Sequence, residues 1–137
     1  MRVWLYARLS NDDDREMNSL LNQREICQAF AEQHGYIIVG QSFDDNISGM
    51  SFDRRGLDEL MAAVDADKTD AVIVKDLSRL GRHRTQTALF IDYLREHQVR
   101  VISATEGVDT FRDEDDLIIG VRGLMNDYYA KDIGKKI

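Results

Sequence analysis

Residues Ala71–Val74 read AVIV and continue without a break into Lys75–Arg84, KDLSRLGRHR: a short strand, apolar at every position, that runs straight into a basic stretch. In that stretch five basic-type side chains, Lys75, Arg79, Arg82, His83 and Arg84, stand against one acid, Asp76. Outward from it in both directions, apolar runs alternate with helical patterns, the signature of an α/β domain with a mainly parallel sheet. Upstream, the pattern predicts a strand over Val3–Leu9 and a helix over about Ser19–His34, with Leu20, Cys27, Phe30 and Ala31 at helical spacing. Gly35 stands where a helix cap belongs, and a second strand follows over Tyr36–Phe43. Residues 44–56, DDNISGMSFDRRG, read as turn, and a short helix from Leu57 to about Asp65 carries Leu57, Leu60, Met61 and Val64. Downstream, a helix over Thr85–Glu96 places Leu89, Phe90, Tyr93 and Leu94 on one face, and Val99–Ser103 makes a fourth strand. From Glu114 to the end the sequence reads as one more helix, with a wide apolar stripe that includes Leu117, Val121, Leu124 and Tyr128.

A chain of 137 residues fits one domain with a single core. Hydrophobic residues make up 43% and charged residues 31%, which is globular usage and excludes the composition of disordered chains. There is no internal repeat, no low-complexity linker and no proline, so one domain spanning 1–137 is expected. The single cysteine, Cys27, has no internal partner for a disulfide, and a cytoplasmic location is the default. The opening MRVWLYARLS is too short, and too broken by arginine, to be a signal peptide or membrane span. The net charge of -7 argues against strong DNA affinity for the domain alone, which makes the local basic stretch more informative than the total.

In a strand, side chains two apart share a face, so Tyr6, Arg8 and Ser10 point the same way, with Arg8 and Ser10 about 6–7 Å apart along the backbone. Arg8 and Ser10 stand at the carboxyl end of the first strand, where open α/β sheets place their ligand crevice, and an arginine beside a hydroxyl suits an anionic substrate. Position alone also fits an ordinary serine in a strand-end turn. Lys75, Arg79, Arg82 and Arg84 follow the third strand and reach the same edge if the strands are parallel; Arg79 and Arg82, three apart, share one side of a helical turn. Arg54 and Arg55 come from the turn after the second strand. Three loops thus bring permanently charged guanidinium groups to one rim, the arrangement a phosphoryl-transfer site requires to balance charge in its transition state.

Four stretches in series, YARLS at 6–10, SLLNQ at 19–23, ISGMSFDRRGL at 47–57 and LSRLGRHR at 77–84, resemble the serine site-specific recombinases of the resolvase and invertase superfamily. The resemblance spans essentially the whole chain. It implies a resolvase-like three-layer α/β domain: a mainly parallel central sheet flanked by helices, with a long C-terminal helix. It implies that Ser10 is the nucleophile and that Arg8, Arg54, Arg79 and Arg82 hold and activate the scissile phosphate, with Tyr6, Gln23, Ser78 and Lys75 in support. Small resolvases carry aspartate where this chain has Ser78. Serine there, and the ending NDYYAKDIGKKI, resemble the large serine recombinases, which include phage integrases and transposon enzymes. By the same resemblance, the chain is a catalytic fragment, cut within its last helix and lacking separate DNA-binding domains.

The implied chemistry is transesterification through a 5'-phosphoserine intermediate, then strand exchange in a tetramer and religation. It needs no metal or other cofactor, in line with the absence of a GxxxxGK loop and of paired His or Cys ligands in the sequence. The implied partners are DNA, other copies of the chain as dimer and tetramer, and an accessory directionality protein, with no membrane. Two alternatives stay open at this point. The acidic runs at 12–14, 44–45 and 113–116 also fit a metal-dependent nuclease, and Asp44, Asp45 and Lys75 at strand ends also fit a receiver-like signalling domain. Cys27 reads as a core residue of its helix.

Overall fold

The computed structural model describes residues 1–10, 19–46, 54–80 and 84–110. The expected helix from Glu114 onward lies outside them. In chain order the elements are β1 (Arg2–Ser10), α1 (Leu20–Gln33), β2 (Ile37–Asn46), α2 (Arg55–Asp65), β3 (Ala71–Val74), a 3-10 turn (Leu77–Leu80), α3 (Arg84–Glu96), β4 (Arg100–Ser103) and β5 (Val108–Asp109). The sheet order is β2-β1-β3-β4-β5. β1 runs parallel to β2 and β3, β3 parallel to β4, and only β5 is antiparallel.

The chain moves outward from β1 to β2 and then crosses back to β3 on the other side. Because parallel crossovers are right-handed, reversing the direction of travel puts the connecting helices on opposite faces. One face carries Val3, Leu5, Ala71, Ile73 and Ile102 against Cys27 and Ala31 of α1. The other carries Tyr6, Val72, Val74 and Val101 against Leu57, Leu60 and Val64 of α2 and Ile91 and Leu94 of α3. β3 is buried at every position because both faces are covered, which is why AVIV contains no polar residue. The expected three-layer, mainly parallel architecture is the one observed.

Local signals fix the element ends. Ser19 caps α1, its hydroxyl accepting the Asn22 N–H at 3.0 Å. Gly35 takes φ +70°, the left-handed turn that ends the helix and that glycine adopts without strain. Four sequence expectations need correction. β2 extends to Asn46 rather than ending at Phe43, because Arg8, Leu9 and Ser10 continue the ladder opposite Asp44, Asp45 and Asn46. The stretch read as turn from Asp44 therefore begins as strand; residues 47–53 lie outside the described ones. Leu89 is 65% exposed, and α3 instead buries Ile91 with Leu94. β5 was not anticipated: a two-residue strand has no periodicity to read.

Asp70, just before β3, accepts the Arg2 side chain through both oxygens, at 2.9 and 3.1 Å, and also the Arg2 backbone N–H at 2.9 Å. Hydrogen bonds from the Arg2 guanidinium, then from its N–H, hold the Asp70 carboxyl down to about 2. A lowered folded-state pKa contributes stability above the unfolded value near ~4 and loses it as the pH falls through the folded one. Asp70→Asn is accordingly expected to lower the urea midpoint slightly at pH 7, the pair being well solvated. That gap should close between pH ~4 and ~2 in urea titrations; a gap of equal size at both ends contradicts the assignment.

Candidate active site at the carboxyl end of the sheet

β1 and β3 pair only from Val3 to Leu5 against Ala71 to Ile73, and this is the point where the strand order reverses. Doubly wound sheets open a ligand crevice there, outside the carboxyl ends of the strands. With the strands diverging, the peptide groups of Arg8 have no strand partner on that side, and side chains take over. Gln23, fully buried on α1, accepts the Arg8 N–H at 3.2 Å and donates to the Arg8 carbonyl at 2.9 Å, as a neighbouring strand would. From the opposite wall, Arg79 Nη1 donates to the same carbonyl at 2.9 Å. The last residues of β1 are thus held between α1 and the 3-10 turn.

Arg79 is 4% exposed, and Asp76 balances its charge: Nε and Nη2 both lie 3.3 Å from Asp76 Oδ2. The Arg8 side chain crosses to the same turn, where Nη2 donates to the Ser78 carbonyl at 2.6 Å. The turn itself is braced. Glu106 accepts the Leu77 N–H at 2.9 Å and the Ser103 hydroxyl at 2.8 Å, and Ser78 donates both its N–H and its hydroxyl to Asp76 Oδ1. Arg8 from β1 and Arg79 from the 3-10 turn are thus tied to each other's element at the carboxyl end of β1. There the backbone of Ser10 closes the strand opposite Asn46. Buried positive charge of this kind is suited to an oxyanion, and a phosphate offers the geometry that planar guanidinium groups match.

The structure brings Arg8, Gln23, Ser78 and Arg79 together. The other expected site residues have other partners or lie outside the described residues. Lys75 reaches α1, its Nζ 3.3 Å from Asn22 Oδ1. Arg54 is exposed at the start of α2 and pairs with Asp58 at 3.7 Å. Arg84 begins α3, and Arg82 lies outside the described residues, as does the side chain of Ser10.

Tyr6 is buried and donates to Asp44 Oδ2 at 2.6 Å, while Asp44 also accepts the Gly56 and Leu57 N–H groups at 2.7 and 3.0 Å. The N-terminus of α2 is therefore capped by a carboxylate from β2. Close approach makes this possible: a Cβ on Gly56 would stand 2.3 Å from the Phe43 carbonyl oxygen. Asp44, considered above as a metal ligand or phosphoryl acceptor, has both oxygens engaged in this cap. No cluster of three or more metal-ligating side chains occurs among the described residues. Cys27 is 1% exposed, and burial pushes its thiol up to about 12, as befits a core residue.

Asp76, Glu106 and Ser103 are site-bracing residues that the sequence reading did not single out. For Asp76 a signal was present: an acid three residues before an arginine in a helical turn can reach it. For Glu106 and Ser103 there was none, because their contacts cross from β4 to the end of β3.

Comparison with known proteins agrees with this geometry. The family model for the resolvase N-terminal domain matches residues 3–137. The transposon Tn3 resolvase of Escherichia coli is 29% identical over 121 residues, covering 88% of this chain but 60% of that protein, so the chain spans less than two thirds of this relative. Among solved structures, a resolvase family site-specific recombinase from Streptococcus pneumoniae superposes with a TM-score of 0.77 at 27% identity, over 99% of this chain and 92% of that one. The N-terminal catalytic domain of TP901-1 integrase shares the fold, with a TM-score of 0.77 at 23% identity over 96% and 98% of the two chains. On its motifs, its sheet order and a family match over nearly its full length, the chain belongs to the resolvase N-terminal domain family.

Proposed function

We propose that this chain is the catalytic domain of a site-specific DNA recombinase in which Ser10 attacks a DNA phosphodiester. The Ser10 Oγ–P bond forms and the P–O3' bond breaks, leaving a 5'-phosphoserine link and a 3'-hydroxyl that takes up the serine proton. After strand exchange, a new 3'-hydroxyl attacks the link, restores the phosphodiester and releases Ser10. The bond energy is kept in the covalent link, so the scheme needs no nucleotide or metal cofactor.

The observation that carries the reading is the meeting of Arg8 and Arg79 at the carboxyl end of the strand that ends in Ser10. Arg8 and Arg79, joined by Arg54 and Arg82 from flanking segments, serve to bind the phosphate, lower the hydroxyl pKa and balance charge on the equatorial oxygens. Gln23 and Ser78 shape the crevice, Tyr6 supports the strand from the core side, and Lys75 adds to the positive potential of the rim. The net charge of -7 accords with a catalytic domain, here taken as 1–137, that depends on further DNA-binding domains for affinity. Dimers and a synaptic tetramer would bring two DNA sites together, with an accessory protein setting direction, in the cytoplasm. Ser78 and the ending NDYYAKDIGKKI favour the large, integrase-like class within the family.

The reading is tested by fusing the chain to a DNA-binding module of known specificity and offering paired sites, one strand nicked, in EDTA. Protein linked to 5' ends is the expected product. Cleavage that requires added Mg²⁺ and yields no adduct would replace this reading with hydrolysis.

A further inference from the structure

We propose that Asp76 is a positioning residue for strand transfer, acting through Arg79; the proposal rests on the function proposed above. A guanidinium is costly to bury unless its plane and charge are matched by a partner, and Arg79 is 4% exposed. Asp76 Oδ2 takes one edge of the fork, Nε and Nη2, each at 3.3 Å. The Arg8 carbonyl takes Nη1 at the other end, at 2.9 Å. With both ends anchored, the plane of the guanidinium is set relative to the end of β1, where the phosphorus must come.

Asp76 can do this because it is itself fixed. Its second oxygen, Oδ1, accepts the Ser78 N–H at 3.2 Å and the Ser78 hydroxyl, and the Arg79 N–H closes back onto the Asp76 carbonyl at 3.2 Å. The following residue, Leu77, is tied by its N–H to Glu106. The two oxygens of one carboxylate thus divide the work: one shapes the turn, the other aims the arginine.

A carboxylate in a phosphate crevice lowers the positive potential, so its presence does not favour DNA binding. Orientation is a different matter, since a guanidinium displaced by about 1 Å loses much of its effect on the transition state. Rate and affinity should therefore part company when Asp76 is changed. Asp76→Asn keeps an oxygen for the Ser78 contacts but removes the charge that holds the fork.

In the fusion of the full 137-residue chain, single-turnover adduct formation at saturating DNA is expected to fall about 10- to 100-fold in Asp76→Asn, as for loss of one charge-assisted hydrogen bond. The DNA concentration for half-saturation should stay the same or drop, and the thermal midpoint should fall, because the buried Arg79 guanidinium loses its counter-charge. In an Arg79→Lys background, adding Asp76→Asn should cost almost nothing further, because the fork on which Asp76 acts is gone.

An unchanged or higher rate in Asp76→Asn overturns the proposal, as does weaker DNA binding with an unchanged rate, or full additivity with Arg79→Lys. Should Asp76→Asn fail to fold, Asp76→Glu keeps the charge one methylene further out and is judged by the same split between rate and affinity. If the wild-type chain forms no adduct on DNA that it demonstrably binds, the recombinase reading fails and this one with it. An adduct in wild type with no Asp76 effect removes this proposal alone.

Discussion

Ser10→Ala is expected to abolish covalent attachment to DNA completely while leaving the fold and the DNA affinity of the fusion in place. Ser10 is the last residue of β1, and the ladder from Arg2 to Ser10 against Ile37 to Asn46 is made by backbone groups that the substitution leaves intact. Stability should therefore change by no more than about 0.5 kcal/mol, the usual range for a substitution outside core packing and caps. The chemistry has no such tolerance. Arginine cannot replace a missing nucleophile, and a water in its place would give hydrolysis with no adduct. Urea unfolding and adduct formation, measured on the same preparation, separate the two effects. An adduct that persists in Ser10→Ala discards the mechanism.

Arg79→Ala should reduce single-turnover cleavage about 10²- to 10³-fold, the loss typical of removing one donor to developing charge. It should also destabilise the domain. Asp76 loses its ion-pair partner and the Arg8 carbonyl loses a side-chain donor, a cost of about 1–3 kcal/mol. Arg79→Lys is the sharper variant. It keeps the charge but cannot span Asp76 Oδ2 and the Arg8 carbonyl with one planar group, and most of the rate loss should remain. Full activity in Arg79→Lys would reduce the role of Arg79 to charge alone. Arg8→Ala is expected to fall in the same range of rate loss.

Legibility in the sequence followed the range of the interactions. The AVIV strand and the Gly35 turn were readable because each depends on neighbours within a few residues. The extension of β2 through Asp44-Asp45-Asn46 was not. Those residue types disfavour strands, and what keeps them extended is the ladder with Arg8 to Ser10 and the burial of Asp44 as the cap of α2, both set by distant parts of the chain. Leu89 misled for a related reason: helical spacing gave a face of Leu89, Phe90, Tyr93 and Leu94, but packing against the sheet turns the helix so that Ile91 is buried with Leu94 and Leu89 is exposed. At the site, the approach of the turn after β3 to the end of β1 was legible in the residue types of Arg8 and Arg79. The partners that orient them were not, because Gln23 and Arg79 reach the Arg8 carbonyl from opposite sides of a gap that exists only once β1 and β3 diverge.

The central claim is the covalent bond between this chain and DNA, and locating that bond tests it most directly. The adduct trapped on nicked paired sites would be digested with protease and nuclease and the cross-linked peptide sequenced by mass spectrometry. The account predicts a nucleotide 5'-phosphate esterified to the hydroxyl of Ser10. A link to any other residue, or through a 3'-phosphate, would contradict it.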